Sequence, residues 1–454
     1  MLAMNMLFKL LLALAFFSAF LYSQQPPQEN PLVKQIIPEI SADSIKAAVT
    51  KLVSFGTRHT LSDTTSPTRG IGAARRWLKS EFERYAKTSE GRMFVEFHET
   101  IVEPSRRVPY PVNVVNIVAT LRPGDASSPS AKRMILVSGH YDSRASDAMD
   151  STSDAPGAND DGSGTAVVLE LARVMSRYQF DATIVCICFA GEEQGLLGAT
   201  AYAEMAKQRG WNIEAVFNND IVGNTRGGSG KVESAYVRIF SEAYSQLDTG
   251  SVFQQRNSQG LENDGASRTL ARYVNETARQ YLPTFEAKMI YRRDRFLRGG
   301  DQTPFHQRGF AAIRLSEVNE HYAHQHQDVR EEGGNRFGDL PDYMDFPYCA
   351  NVARVNASGI ASLALAPAPP SGVGIVTSGL AYDTQLRWST NTEPDLAGYY
   401  VRYRQTTSPA WEHTVFTNDT TITLPVSKDD VIVAVQAVDK DGNASLPVVP
   451  KPVR

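Results

Sequence analysis

Between residues 134 and 220 three short apolar runs each end in a loop carrying residues able to bind a metal ion. Met134 to Ser138 runs into Gly139-His140-Tyr141-Asp142-Ser143. Thr183 to Phe189 runs into Gly191-Glu192-Glu193-Gln194-Gly195, and Ala215 to Asn218 runs into Asp220. Short apolar runs of this kind read as buried strands. Helical signals lie between them: Gly164 to Tyr178, with an apolar stripe of Val167, Val168, Leu171, Val174 and Met175, and then Leu196 to Gln208. Ala311 to Leu315 adds a strand and Tyr348 to Leu365 a helix. The alternation predicts an α/β fold, a mostly parallel sheet flanked by helices on both faces. Such sheets place their sites just beyond strand ends, where His140, Glu192 and Asp220 stand.

The residue types in these loops suit two divalent cations. A pair of zinc ions about 3.5–4 Å apart needs a shared ligand, and a carboxylate is the natural bridge. Asp160, in Gly157-Ala158-Asn159-Asp160-Asp161-Gly162, is the candidate; alone, that cluster would read as a turn and helix cap. The adjacent Glu192 and Glu193 point in different directions after a strand, so one can bind metal while the other faces an attacking water. Glu193 is assigned as ligand and Glu192 as general base and acid. His140 offers an imidazole nitrogen, and Asp142, two residues on, is placed to orient that ring. Asp220 completes the first site. Glu193 and one histidine of the late group His321, His324 and His326 complete the second.

These motifs resemble those of the co-catalytic di-zinc aminopeptidases, the secreted bacterial leucyl-aminopeptidase type, whose fold plasma glutamate carboxypeptidase and glutaminyl cyclases share. The resemblance runs from about residue 45 to 365 and keeps five separated motifs in the family's order. It implies a zinc exopeptidase fold and two Zn2+ ions: one held by His140, Asp160 and Asp220, the other by Asp160, Glu193 and the late histidine. Similar enzymes carry a Gly-Asp-x-x-Pro-Phe stretch near the site, which here reads Gly300-Asp301-Gln302-Thr303-Pro304-Phe305. Relatives with a histidine followed four residues later by aspartate align on His324 and Asp328. Relatives with Tyr-x-x-Gln-His align on Tyr322, Gln325 and His326. His326 is preferred, with His324 as the alternative. His306 and His321 are expected on the surface or behind the ligands, and Tyr322 is a candidate to polarise the substrate carbonyl.

The activity implied is removal of N-terminal amino acids from peptides and proteins. A carboxypeptidase or dipeptidase on the same scaffold would want cations for an α-carboxylate, and Arg292, Arg293, Arg295 and Arg298 crowd one segment. A glutaminyl cyclase or an inactive binding protein stand further off, since both glutamates and all ligand types are present. The segments 144–156 and 256–298 are expected to shape the pocket rim.

At 454 residues the chain has room for more than one domain. Its formal charge of −4 gives no basic excess for nucleic acid. Residues 1–23 read as a signal peptide: Lys9, then an apolar run from Leu10 to Leu21 too short to span a bilayer comfortably, then small Ser23. That predicts a secreted or periplasmic protein. Residues 24–45 read as an N-terminal arm, 46–366 as the peptidase domain and 367–372 as a Pro-rich linker. Residues 373–454 change to short β segments and resemble a fibronectin type III sandwich, expected to contact a surface or polymer. Cys186, Cys188 and Cys349 are read as core residues, so no disulfide framework is expected.

Overall fold

The computed structural model describes residues 29–379 and 381–454. The expected signal peptide and residues 24–28 of the expected arm lie outside the described residues. Two compact units result, Glu29–Ala368 and Pro369–Arg454.

The larger unit is built on an eight-stranded mixed sheet. Its strands are β1 (Met93–Val102), β2 (Val112–Leu121), β3 (Arg133–His140), β4 (Thr183–Phe189), β5 (Asn212–Asn219), β6 (Tyr236–Ser241), β7 (Glu286–Ile290) and β8 (Ala312–Ser316), in the order β1-β2-β4-β3-β5-β8-β6-β7. Four pairings are parallel: β3 with β4, β3 with β5, β5 with β8, and β6 with β7. β1 with β2, β2 with β4, and β6 with β8 run antiparallel. The parallel block carrying His140, Glu192 and Asp220 was legible as apolar runs. The flanking strands alternate more with polar residues and were not.

Period-two alternation divides β4 between the two faces. Val185, Ile187 and Phe189 join Leu136, Val216 and the helix Leu197–Gln208 in one core. Ile184, Cys186 and Cys188 point the other way; all three cysteines are buried and free. On that second face lies the helix Gly162–Met175, capped by Asp161, whose carboxylate accepts from Gly164 N. A Cβ on Gly139 would stand 2.6 Å from the Gly164 carbonyl carbon, so glycine allows strand and helix to touch just before His140. The helix Phe346–Leu365 also covers this face: Gly359 meets the Phe217 ring. Each large apolar side chain so buried contributes about 1.5–3 kcal/mol.

Two expectations change. The described part of the arm is helical: Pro31–Ile36 buries Val33 and Ile36, and Ala42–Val53 buries Ile45, Val49 and Leu52. The segment 256–298 is more than a rim. It contains β7 and the helix Ala266–Tyr281, whose Arg268 and Arg272 are buried against hydrogen-bond acceptors that satisfy them. A short hairpin, β9 (Arg330–Glu332) with β10 (Asn335–Phe337), comes after the late histidines.

Among the described residues the smaller unit has seven strands: β11 (Gly374–Val376), β12 (Asp383–Arg387), β13 (Leu396–Gln405), β14 (His413–Thr417), β15 (Thr421–Ser427), β16 (Val431–Asp439) and β17 (Lys451–Val453). They form sheets ordered β15-β12-β11-β17 and β14-β13-β16. Leu386, Trp388 and Leu424 from one side meet Tyr399, Val401, Val415 and Val435 from the other in a shared core. Trp388 packs edge-on to Tyr399 at 5.3 Å between ring centroids. This is a small β-sandwich.

Candidate metal centre

The parallel register sets His140 at the end of β3 opposite Phe189, so the loop after β4 lies beside it. One buried carboxylate ties the strand ends together. Asp161 Oδ2 accepts from His140 N at 3.0 Å, and its Oδ1 accepts from Gly164 N at 2.9 Å and Ile221 N at 3.2 Å. The loop carrying Asp160 is gripped from two sides. The buried Arg58 guanidinium donates to Tyr141 O, Pro156 O and Gly157 O at 2.7, 2.5 and 2.8 Å. The Asp339 carboxylate accepts from Asn159 N at 2.9 Å and Asp160 N at 2.7 Å. Ile221 and His326 have left-handed backbones, φ +59° and +52°, an arrangement that costs roughly 1 kcal/mol or more and persists where the surroundings impose it.

Two sets of three side chains result. In each, one ligand atom per residue lies within 4.8 Å of the others: His140, Glu192 and Asp220, and Asp160, Glu193 and His326. Asp160 stands between them. Its Oδ1 is 3.2 Å from His140 Nε2 and its Oδ2 is 2.9 Å from His326 Nε2. His326 Nε2 is also 2.9 Å from Glu193 Oε1, and His140 Nε2 is 3.9 Å from Asp220 Oδ1. The carboxylate of Glu192, expected apart from the ligands, thus lies in the same set as His140 and Asp220; it alone of that set is partly exposed. Asp142 accepts from Glu192 N and Glu193 N at 3.2 Å each and from Thr60 Oγ1 at 3.0 Å. Its backbone carbonyl is 3.2 Å from His140 Nδ1, with the carboxylate at 3.6 Å. It aligns the histidine and the glutamate turn together.

The electrostatics of the cluster call for positive charge. Burial, with Glu193 and Asp220 close by, pushes Glu192 well above the usual carboxylate range. Burial also pushes Asp301 up to about 8, with Asp142 and Asp220 adding repulsion; neither of its oxygens has a hydrogen-bond partner among the described residues. A buried carboxylate without a partner is costly, and a nearby cation relieves it. Burial opposes charge on His326, but Glu193 and Asp160 outweigh it and lift the ring to about 10. Histidine nitrogens and carboxylate oxygens in two adjoining triads, with one aspartate offering an oxygen to each, are a donor set suited to two zinc ions.

His324 does not join this cluster. Its ring is sandwiched between His321 at 3.8 Å and Tyr343 at 3.6 Å between centroids. Asp328, four residues on, receives Ser146 N at 3.0 Å instead of backing a ligand. Tyr322 is 64% exposed and is not one of the six clustered residues. His306 is buried, its Nε2 2.8 Å from Ala312 O. Of the four clustered arginines, three are exposed. Arg295 is fixed by Asp294 and, at 2.6 Å, by Glu320. Asp339, Arg58 and Arg314, which pairs with Asp220 Oδ1 at 2.8 Å, were missed, since nothing local marks a charge whose partners are remote in sequence.

The sequence pattern of peptidase family M28 matches residues 116–333. A probable zinc metalloprotease of Leptosphaeria maculans is 44% identical over 427 residues, covering 94% of this chain and 98% of that protein. The chain belongs to peptidase family M28. Solved structures agree on the fold. LapB from Legionella pneumophila superposes with a TM-score of 0.53 at 18% identity, over 76% of this chain and 78% of that one. An aminopeptidase from Aneurinibacillus sp. strain AM-1 gives 0.51 at 16% identity, over 73% and 96%. At these identities the M28 likeness to them is one of architecture.

Proposed function

We propose that this zinc metallopeptidase is an exported exopeptidase that removes N-terminal residues from peptides at a two-zinc centre. The observation that carries the reading is Asp160 offering one oxygen toward His140 and the other toward His326, with Glu192 alongside. His140, Asp160 and Asp220 would hold one ion, and Asp160, Glu193 and His326 the other. Bound zinc would supply a Lewis acid for the scissile carbonyl and lower the pKa of water. Glu192, partly exposed at the edge of its set, takes the proton of the attacking water on its carboxylate and passes it to the leaving amine. Asp142 keeps the Glu192 turn and His140 in register.

The free α-ammonium of a peptide suits this acidic surround. An α-carboxylate does not: Arg295 is already paired, and its three neighbours are exposed. This favours an aminopeptidase over a carboxypeptidase. The smaller unit, read as fibronectin type III-like, would serve contact with a surface or polymer. The test is hydrolysis of aminoacyl-4-nitroanilides beside N-blocked and C-terminal reporter peptides, by protein as isolated, after chelation and after zinc is restored. Zinc-dependent cleavage of only the free-amine substrates supports the reading. Cleavage confined to C-terminal reporters overturns it.

A further inference from the structure

The connection between β1 and β2 reaches the metal centre. Its tip is a tight turn: Ser105 N donates to Val108 O at 2.7 Å, and Val108 N returns a bond to Ser105 O at 3.2 Å. Val108 is fully buried and pins the turn to the body of the unit. The two residues between them, Arg106 and Arg107, are exposed. Nothing in a turn of this kind calls for arginine; small or amide side chains serve it better. Arg107 nonetheless has a fixed place, since its Nη1 donates to the backbone carbonyl of Glu193 at 2.7 Å. A guanidinium carries five N–H donors in a planar fork. Among the described residues this carbonyl is the one hydrogen-bond partner of the Arg107 side chain, and no carboxylate pairs with it. One arm of the fork is anchored and the rest of the charge is unspent.

The anchor fixes which side of the centre Arg107 serves. Glu192 passes its proton to the leaving amine, so the leaving residue stands beside Glu192. The next residue, Glu193, turns its carbonyl to Arg107. The hairpin tip therefore borders the leaving side, outside the buried carboxylates that surround the ammonium of the first residue. A guanidinium with one arm tied to a carbonyl and the others open is suited to a carboxylate, which it meets with parallel N–H groups.

We propose that Arg107 binds a carboxylate on the leaving residue, supplied by an acidic side chain at the substrate's second position or by the α-carboxylate of a dipeptide. The assignment rests on the N-terminal exopeptidase reading. That carboxylate is met at the hairpin and not among the acidic groups of the centre, so one peptide can satisfy both ends. Because Arg107 is exposed, the preference is small: about 2- to 5-fold, the range for a solvent-exposed ion pair.

The test compares kcat/KM, by release of leucine at low ionic strength, for three substrates of the zinc-loaded full chain. Leucyl-glutamine α-amide has no carboxylate, leucyl-glutamate α-amide has one on its side chain, and free leucyl-glutamine has one at its C-terminus. At least one of the two acids should exceed the neutral amide by about 2- to 5-fold, and the acid that does so identifies the source of the carboxylate. The excess should shrink at high salt. Arg107→Met should bring the ratio close to one, while Arg107→Lys should keep part of it. Arg106→Met removes the same charge one residue away and should leave the ratio in place. A disturbance of Glu193 alone would lower all three substrates together without moving the ratio. A neutral amide turned over as well as both acids, or a ratio unmoved in Arg107→Met, overturns the assignment. Failure to cleave any free-amine substrate while blocked peptides are cleaved overturns the exopeptidase reading, and this assignment with it.

Discussion

Replacing Asp339 by asparagine should loosen zinc without unfolding the protein. The Asp339 carboxylate accepts from Asn159 N with both oxygens, at 2.9 and 3.0 Å, and from Asp160 N at 2.7 Å. Asparagine keeps one oxygen and turns an N–H donor toward the other amide. One buried backbone N–H next to the bridging candidate therefore loses its charged partner. Such a bond is worth about 1.5–3 kcal/mol. Expressed wholly in the placement of Asp160, about 2 kcal/mol is a roughly 30-fold loss of zinc affinity. Groups behind metal ligands typically cost about 10- to 100-fold when changed, which agrees. The assay is competition with a chromophoric chelator, with thermal unfolding of the metal-free protein as control. Burial holds Asp339 up at about 7, so the gap between wild type and variant should narrow as the pH falls below that value. A folded variant that binds zinc within threefold of wild type would refute the reasoning.

Four further outcomes are expected from the same geometry. Glu192→Gln should lower kcat by about 100- to 10,000-fold while zinc content holds, because the lost group moves a proton; loss of zinc would instead make Glu192 a ligand. His326→Phe should remove one zinc per chain by metal analysis, whereas His324→Phe, which keeps a ring between His321 and Tyr343, should retain both. Zinc loading at pH 8 should release a proton from His326, seen as a buffer-dependent heat in calorimetry, since metal needs the neutral ring. In the metal-free protein that raised histidine stabilises the fold fully below about 6.5, and the contribution fades as the pH rises through about 10.

Much of the site could be read from sequence because its residues come directly after strands. A parallel strand buried on both faces leaves an unbroken apolar run, and the residues just beyond it lie at the sheet's edge. That is why His140, Glu192, Glu193 and Asp220 could be found together. The His324 and His326 alternatives needed the structure, because both lie in one turn and only the folded backbone shows that the His326 ring comes within 2.9 Å of Asp160. Arg58 and Asp339 carry no periodic signal; the groups they hold in the Asp160 loop are backbone atoms remote in sequence, so only tertiary structure identifies them. The helix Ala266–Tyr281 carries a regular stripe of Leu270, Val274 and Ala278 that the reading of the pocket rim passed over.

The central claim is a centre for two zinc ions joined by Asp160. Its most direct measurement is a zinc titration of chelated protein, with bound metal and leucyl-4-nitroanilide turnover followed on the same samples. Two zinc ions per chain are expected, with full activity only on the second equivalent, and loss of both ions in Asp160→Ala. Full activity at one zinc per chain, or two tightly bound zinc ions retained in Asp160→Ala, would contradict it.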